Sequence, residues 1–342
     1  MKRSLAALSL MAVSALTLAG CTDSAAPTTD DTTPADTATA SSTDDATDDA
    51  TASGEITQIR VAALPIAETG ALWAAMEEGI FEDHGLEVEV VPAQGGAQAI
   101  PALLSGDIDF AIGQPFGPFR ANLQDLGAVI IGNYASALPS GKDVNAVVAL
   151  DSSGIAGPAD LAGKRVSVNS LGAAGDVTIM KAVEDAGGDP TTIQFVEVAF
   201  PDAPAQLESG NIDAAWVPDP FMSMVDGGAG GIVMHPYQET IPGLSLLTNI
   251  TLQQTIDEDP ELIESYSAAM SEALSWASEN EEAVRAAIAS NMGIPAEAAA
   301  GITLPQFTWE LNTDDLQQLV DLAVGYGVLD QAPDFGTLLR TS

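Results

Sequence analysis

The chain has 342 residues, of which 49 are acidic, 10 basic, two His and one Cys, for a formal net charge of −39. That balance excludes a nucleic-acid binder, because phosphates are neutralised by Lys and Arg. A single Cys excludes a disulfide scaffold, and so few Cys and His argue against a metal centre built on them.

Met1-Lys2-Arg3 gives a positive start, and residues 5–18 are an apolar run too short to span a membrane comfortably. The run ends in Leu18-Ala19-Gly20-Cys21. Small residues before a Cys in this setting resemble the bacterial lipobox, which implies cleavage before Cys21 and lipidation of its thiol. The alternative is an ordinary secretory peptide with an unrelated Cys. Residues 22–55 contain no aromatic residue and no Leu, Ile or Val. Such a stretch cannot bury enough apolar area to offset its ordering entropy, so it reads as a disordered, self-repelling acidic tether. The body that follows, 56–342, keeps 40 acidic and 8 basic residues. We read that surface as a salt or solubility adaptation.

The body repeats itself. Leu103-Leu104-Ser105-Gly106-Asp107-Ile108-Asp109-Phe110-Ala111 and Leu207-Glu208-Ser209-Gly210-Asn211-Ile212-Asp213-Ala214-Ala215 agree at six of nine positions. Pro115-Phe116 follows the first copy and Pro220-Phe221 the second. In each copy a helix ends at Ser-Gly, a turn leads into a short apolar strand, and Pro opens the next helix. Further strand–helix pairs precede each copy: Ile59–Leu64 with a helix to Phe81, then Leu86–Val91 with a helix from Gly96; and Arg165–Asn169 with a helix to Ala186, then Ile193–Ala199 with a helix from Pro201. This alternation predicts an α/β fold of mostly parallel sheets with helices on both faces. Residues 259–289 and 312–324 carry helical periodicity and end the chain. The apolar stretches Val144–Leu150 and Leu244–Ile250 are read as strands crossing between two lobes, which leaves a hinge and a cleft.

Trp73-Ala74-Ala75-Met76-Glu77-Glu78-Gly79-Ile80-Phe81, His84-Gly85-Leu86-Glu87-Val88, Gly95-Gly96-Ala97-Gln98, the first repeat copy, Asp160-Leu161-Ala162-Gly163-Lys164-Arg165-Val166 and Gly210-Asn211-Ile212-Asp213-Ala214-Ala215-Trp216 together carry a family resemblance. They resemble the substrate-binding proteins of ABC importers, in the nitrate/sulfonate/taurine and thiamine-pyrimidine-precursor branch. The resemblance implies a two-lobed type II periplasmic-binding-protein fold with a ligand cleft between the lobes and C-terminal helices packing on lobe one. It implies a signal peptide at 1–20, a lipidated Cys and tether at 21–55, lobe one at 56–148 plus 245–342, and lobe two at 149–244. It also implies a monomer anchored to the extracellular face of the cell membrane through Cys21, delivering a small solute to a permease and ATPase, with no cofactor and no enzymatic activity. Part of the branch performs pyrimidine synthesis with a His and a Cys-rich motif. The one Cys here is in the lipobox, so that chemistry is not carried over.

Ligands in open α/β sheets bind beyond the carboxyl ends of the strands, where helix N-termini offer free N–H groups. The loops at those ends nominate Glu68, Gln94, Gly95, Gln114, Asn133, Ser170 and Asp219 as polar contacts, and Trp73, Phe116 and Tyr134 as apolar walls. Glu68 is equally suited to stabilising the first turn of its helix, Asp219 to capping one, and Trp73 to core packing. His84 is read as a surface residue and His235 as structural. None of the eight bases of the body falls in these loops, although Lys142 can reach from its own. Glu68 and Asp219 can accept from an amine or ring N–H, so a taurine-like or aminopyrimidine-like solute is expected. A buried Arg across the cleft would instead favour a plain anion. A sensor lipoprotein on the same fold and a hydrolase using Glu68 and Asp219 as a carboxylate pair are the rival readings.

Overall fold

Strands and helices alternate through two β-sheets in the computed structural model, which describes residues 56–93 and 96–340. The signal peptide, Cys21, the tether, Gln94 and Gly95 lie outside the described residues. The chain opens sheet one with β1 (Thr57–Ala63), followed by α1 (Gly70–Glu78), α2 (Ile80–Asp83), β2 (Leu86–Pro92), α3 (Gly96–Ser105), β3 (Phe110–Gly113), α4 (Phe116–Asn122) and β4 (Ala128–Ser136). Sheet two takes β5 (Asn145–Leu150), β6 (Arg165–Val168), α5 (Ala174–Asp185), β7 (Gln194–Glu197), α6 (Ala203–Glu208), β8 (Ala214–Pro218), α7 (Phe221–Asp226) and β9 (Gly230–Met234). After α8 (Pro236–Thr240), β10 (Ser245–Leu252) rejoins sheet one. The chain ends through α9 (Gln253–Glu258), α10 (Pro260–Glu279), α11 (Glu281–Met292), α12 (Ala296–Ala300), β11 (Gln306–Phe307), α13 (Thr313–Gly325) and α14 (Phe335–Leu338).

Sheet one has the order β11-β4-β10-β3-β1-β2, and sheet two β7-β6-β8-β5-β9. The sheets are mixed rather than mostly parallel. Pairs built by helical crossovers are parallel (β1 with β2 and β3, β6 with β7 and β8), whereas β5 and β10 arrive from the other sheet and pair antiparallel with their neighbours. Val144–Leu150 and Leu244–Ile250 do contain strands, but neither strand crosses. The crossings are the segments 137–144 and 235–244 on either side of them. The two segments are tied by Ala137 N–H to the Leu244 carbonyl (2.8 Å) and by the Gln238 amide to the Leu138 carbonyl (2.9 Å).

The internal repeat has a structural meaning beyond its turn. Asp109 Oδ2 accepts from the backbone N–H of Arg60 (2.7 Å), and the Arg60 guanidinium donates to the Gly106 carbonyl. In sheet two Asp213 Oδ2 accepts from Arg165 N–H (2.8 Å), and Arg165 donates to the Gly210 carbonyl. The repeated Asp thus pins the neighbouring parallel strand in both sheets, and Arg reads the turn behind it.

The C-terminal helices complete the first core. Tyr266 of α10 stacks on Phe110 of β3 with ring centroids 3.7 Å apart, and its hydroxyl donates to Asn249 Oδ1 (2.8 Å). The helix expected over 259–289 is two helices. Asn280 leaves helical geometry, and its amide donates to the Trp276 carbonyl, which the helix end would otherwise leave unpaired. α10 and α11 pack on α1, and α14 on α4 and β4. α13 departs from the expected packing on lobe one: it lies on α5, and Tyr326 just beyond it donates its hydroxyl to Glu184 Oε2 (2.6 Å). The buried face Leu316, Leu319, Val320 and Ala323 accounts for its docking.

Gly230 shows how tightly β9 lies on β5. A Cβ there would stand 2.3 Å from the Ala149 carbonyl oxygen, whereas one at Gly231 meets nothing closer than 4.0 Å. Gly230→Ala is therefore expected to cost about 1–3 kcal/mol and Gly231→Ala no more than about 0.5 kcal/mol. Urea unfolding of the two variants checks the difference.

Candidate ligand cleft

The carboxyl ends of strands from both sheets converge on one narrow cleft. From sheet one come Leu64 and Ile66 after β1, and Gln114 and Phe116 after β3. From sheet two come Asn169 and Ser170 after β6, Phe200 after β7, and Trp216 and Pro218 at the end of β8. Asn145 and Tyr237 lie at the crossings, and Glu68 and Arg120 are also among the lining residues. An adjoining pocket continues past Leu64 and Ile66 to Ala93, the residue before Gln94.

The walls are aromatic. Phe200 and Tyr237 each meet the Trp216 ring edge-on with centroids 5.5 Å apart. The indole N–H donates to Asn145 Oδ1 (3.3 Å), and the Gln114 amide donates to the Tyr237 hydroxyl (3.1 Å) across the cleft. These bonds fix the polar edges of apolar rings in one orientation.

Glu68 belongs to a helical turn before α1 that Thr69 anchors by donating its hydroxyl to the Leu64 carbonyl (2.6 Å). The side chain is 4% exposed, and Oε2 has no hydrogen-bond partner. Burial pushes its carboxyl up to about 8, and the charges of Asp219 and Asp143 add to the rise. Arg120 is the element that reasoning from loops missed, because it lies inside α4 rather than in a strand-end loop. A basic residue in the last turn of a helix that opens at Pro115 was the available signal. Its guanidinium is half-buried, 5.7 Å from the Phe116 centroid, and donates to the Gly172 carbonyl of the opposite lobe. Asp176 stands behind this contact. Its Oδ2 accepts from Gly172 N–H (2.6 Å), and burial raises its carboxyl to about 6 despite the nearby Arg120 charge.

Of the residues nominated from the sequence, Glu68, Gln114, Phe116 and Ser170 are brought together in this cleft. Trp73, Asn133, Tyr134 and Asp219 are not among its lining residues. Trp73 packs in the core of lobe one. Asn133 lies within β4 rather than after it, donating to Ser136 Oγ and the Thr308 carbonyl (both 3.1 Å). The Tyr134 hydroxyl accepts from Leu72 N–H (3.0 Å), and its ring meets Phe307 edge-on. Asp219 Oδ1 accepts from the backbone N–H and hydroxyl of Ser223 at the start of α7. Trp216, Asn145 and Tyr237 join Arg120 as lining residues that strand-end loops did not disclose.

A family model described as NMT1/THI5 like matches residues 67–284. The formylaminopyrimidine-binding protein of Halalkalibacterium halodurans is 26% identical over 230 residues, 66% of this chain and 67% of that protein. Among solved structures, the alkanesulfonate-binding protein SsuA from Xanthomonas axonopodis pv. citri, bound to MOPS, superimposes with a TM-score of 0.71 at 16% identity, covering 84% of this chain and 100% of SsuA. The desulfurization enzyme DSZB gives a TM-score of 0.62 at 17% identity, over 82% and 95% of the two chains. The fold thus holds both binding proteins and an enzyme.

Proposed function

The chain belongs to the NMT1/THI5-like family, and from that premise we propose that it is an extracytoplasmic solute-binding protein of an ABC importer, without enzymatic activity, whose cargo is a small flat nitrogen heterocycle bearing an amino group. The observation that carries this reading is the buried Glu68 carboxyl, unpartnered at Oε2, on an aromatic-walled cleft. A buried carboxyl that keeps its proton offers one acceptor oxygen and one O–H donor side by side, which an amino group next to a ring nitrogen matches, and aromatic rings favour a flat partner. The relative named for formylaminopyrimidine binding supports the same chemistry. Closure of the two lobes about the segments 137–144 and 235–244 would enclose the solute. Before these segments lies lobe one, completed by the C-terminal part from 245 onward. Cleavage before Cys21 and lipidation of its thiol would hold the protein at the outer face of the cell membrane, next to its permease.

Arg120 supports a second reading, a taurine-like aminosulfonate with its amine at Glu68 and its anion at the guanidinium. A half-buried Arg on the cleft is also what a plain anion would use, but that Arg and the N–H beside it are already committed. The Gly172 N–H ahead of α5 already donates to Asp176, and Arg120 is engaged by the Gly172 carbonyl.

Thermal unfolding of the purified protein against aminopyrimidines, taurine, methanesulfonate and nitrate tests the proposal. Ligand at a hundredfold its Kd stabilises by about 2.7 kcal/mol, so a shift with aminopyrimidines alone is expected. A shift with nitrate or methanesulfonate alone would overturn the heterocycle reading.

A further inference from the structure

The cleft does not end at its polar lining. Leu64, Ile66, Asn169 and Phe200 line it and also line the adjoining pocket. That annex draws the rest of its wall from both lobes. Pro65 and Ala93 follow β1 and β2 of lobe one, and Ala199, Pro201 and Phe221 follow β7 and β8 of lobe two. A group filling the annex touches both lobes, so the closure that encloses a solute holds that group as well.

The two compartments differ in chemistry. The cleft carries Glu68, Gln114, Arg120 and Ser170. Among the described residues that line the annex none is charged, and the shared Asn169 is the one with a polar side chain. The body keeps 40 acidic and 8 basic residues. A charge-free wall assembled from the ends of β1, β2, β6, β7 and β8 stands apart from that surface. Pro65 and Pro201 are exposed and Phe221 is only partly buried, so apolar surface here still faces water. An apolar occupant removes it from water, whereas an ionised one would lose hydration and find no partner.

We infer that the solute is amphipathic, with its amino-heterocyclic head in the cleft and an apolar substituent in the annex. The inference rests, for the head, on the reading of the cleft given above. Phe200 stands at the join, meeting the Trp216 ring edge-on and lining both spaces. A head against the aromatic wall and a tail in the annex therefore fit one small molecule.

Calorimetric titration of the purified protein with 4-aminopyrimidine and its methyl, ethyl, propyl and butyl derivatives tests this. One series carries the chain at the carbon between the ring nitrogens, the other at the carbon next to the amino group. One of the two is expected to gain about fourfold in affinity per methylene until the annex is full, with a binding heat capacity that grows more negative at each step. A carboxyethyl group in place of the chain is expected to forfeit the gain. Ala199 is partly exposed and lines the annex without lining the cleft. Ala199→Leu is expected to abolish the gain while 4-aminopyrimidine itself binds as before. Flat affinity along both series, or an equal gain in Ala199→Leu, overturns the annex and leaves the heterocycle reading standing. Binding of no aminopyrimidine, with alkanesulfonates binding tighter as their chain grows, overturns the heterocyclic head and keeps the apolar annex. Binding of neither family overturns both.

Discussion

The unliganded protein is expected to lose stability as pH rises from about 5 to 8, and Glu68→Gln is expected to remove most of that loss. Glu68 holds its proton in the folded state up to about 8 but has a reference value of 4.5. Between these values the folded state binds the proton that the unfolded chain has released. Folding therefore weakens steadily with pH across this window and levels off above it. The full difference corresponds to roughly 5 kcal/mol at about 1.36 kcal/mol per pH unit. Asp176, raised from 3.8 to about 6, works in the same direction over the lower part of the window. Asp213 works in the opposite sense, but it is lowered by Arg165 from 3.8, so its loss occurs only below the window. The net charge of −39 also favours lower pH through self-repulsion. Salt separates the two causes: at 1 M the Debye length is about 3 Å, which screens surface repulsion and leaves a buried carboxyl largely untouched. Urea unfolding at pH 6 and pH 8.5 in high salt, on wild type and Glu68→Gln, is the measurement. Equal pH dependence in the two proteins would remove Glu68 as its source.

The second large effect is expected at Trp216. This residue is a wall of the cleft and a core residue of lobe two, meeting Phe200 and Tyr237 and donating to Asn145. Trp216→Ala should cost about 3–5 kcal/mol through the cavity it leaves and should also abolish the ligand-induced thermal shift. Trp216→Phe keeps a ring but loses the N–H, and should cost on the order of 1 kcal/mol for that bond, with weakened rather than absent binding. Denaturation followed by circular dichroism, with the thermal shift measured on each variant, separates the packing role from the binding role. Normal ligand response in a folded Trp216→Ala protein would show that the solute does not use this wall.

Much of the fold was readable because it repeats. The Ser-Gly turn and the Asp three residues beyond it marked the same helix–strand junction twice, and each Asp proves to hold the neighbouring strand. The elements that went astray did so where tertiary contact overrides a local signal. Gly132-Asn133 reads as the end of a strand, which is why Asn133 and Tyr134 were nominated as loop residues. β4 in fact runs on to Ser136, because the bare face of Gly132 admits the Trp309 ring, whose atoms would lie 2.6 Å from a Cβ there. Glu68, Gln114, Phe116 and Ser170 were legible because they occupy the turns just after strands, where backbone geometry alone brings ligands. Arg120, Asn145 and Tyr237 were not, since they reach the cleft only through the relative placement of two sheets and the segments joining them. No local pattern records that placement.

The docking of α13 has a mechanical consequence. In the proposed closure, two adjacent crossing segments alone would leave one soft rotation between the lobes. α13 leaves lobe one after β11, seats on α5 of lobe two, and returns through α14 to β4. It attaches the lobes at a third point, and Val328 just beyond it comes close to Gly172, whose carbonyl receives Arg120. A third attachment away from the rotation axis turns opening into shear between α13 and α5. In the proposed closure the stiffness of the jaw is then set by a C-terminal helix that contributes no residue to the cleft lining, so sequence changes along α13 are expected to retune residence time while leaving the chemistry of recognition as it is.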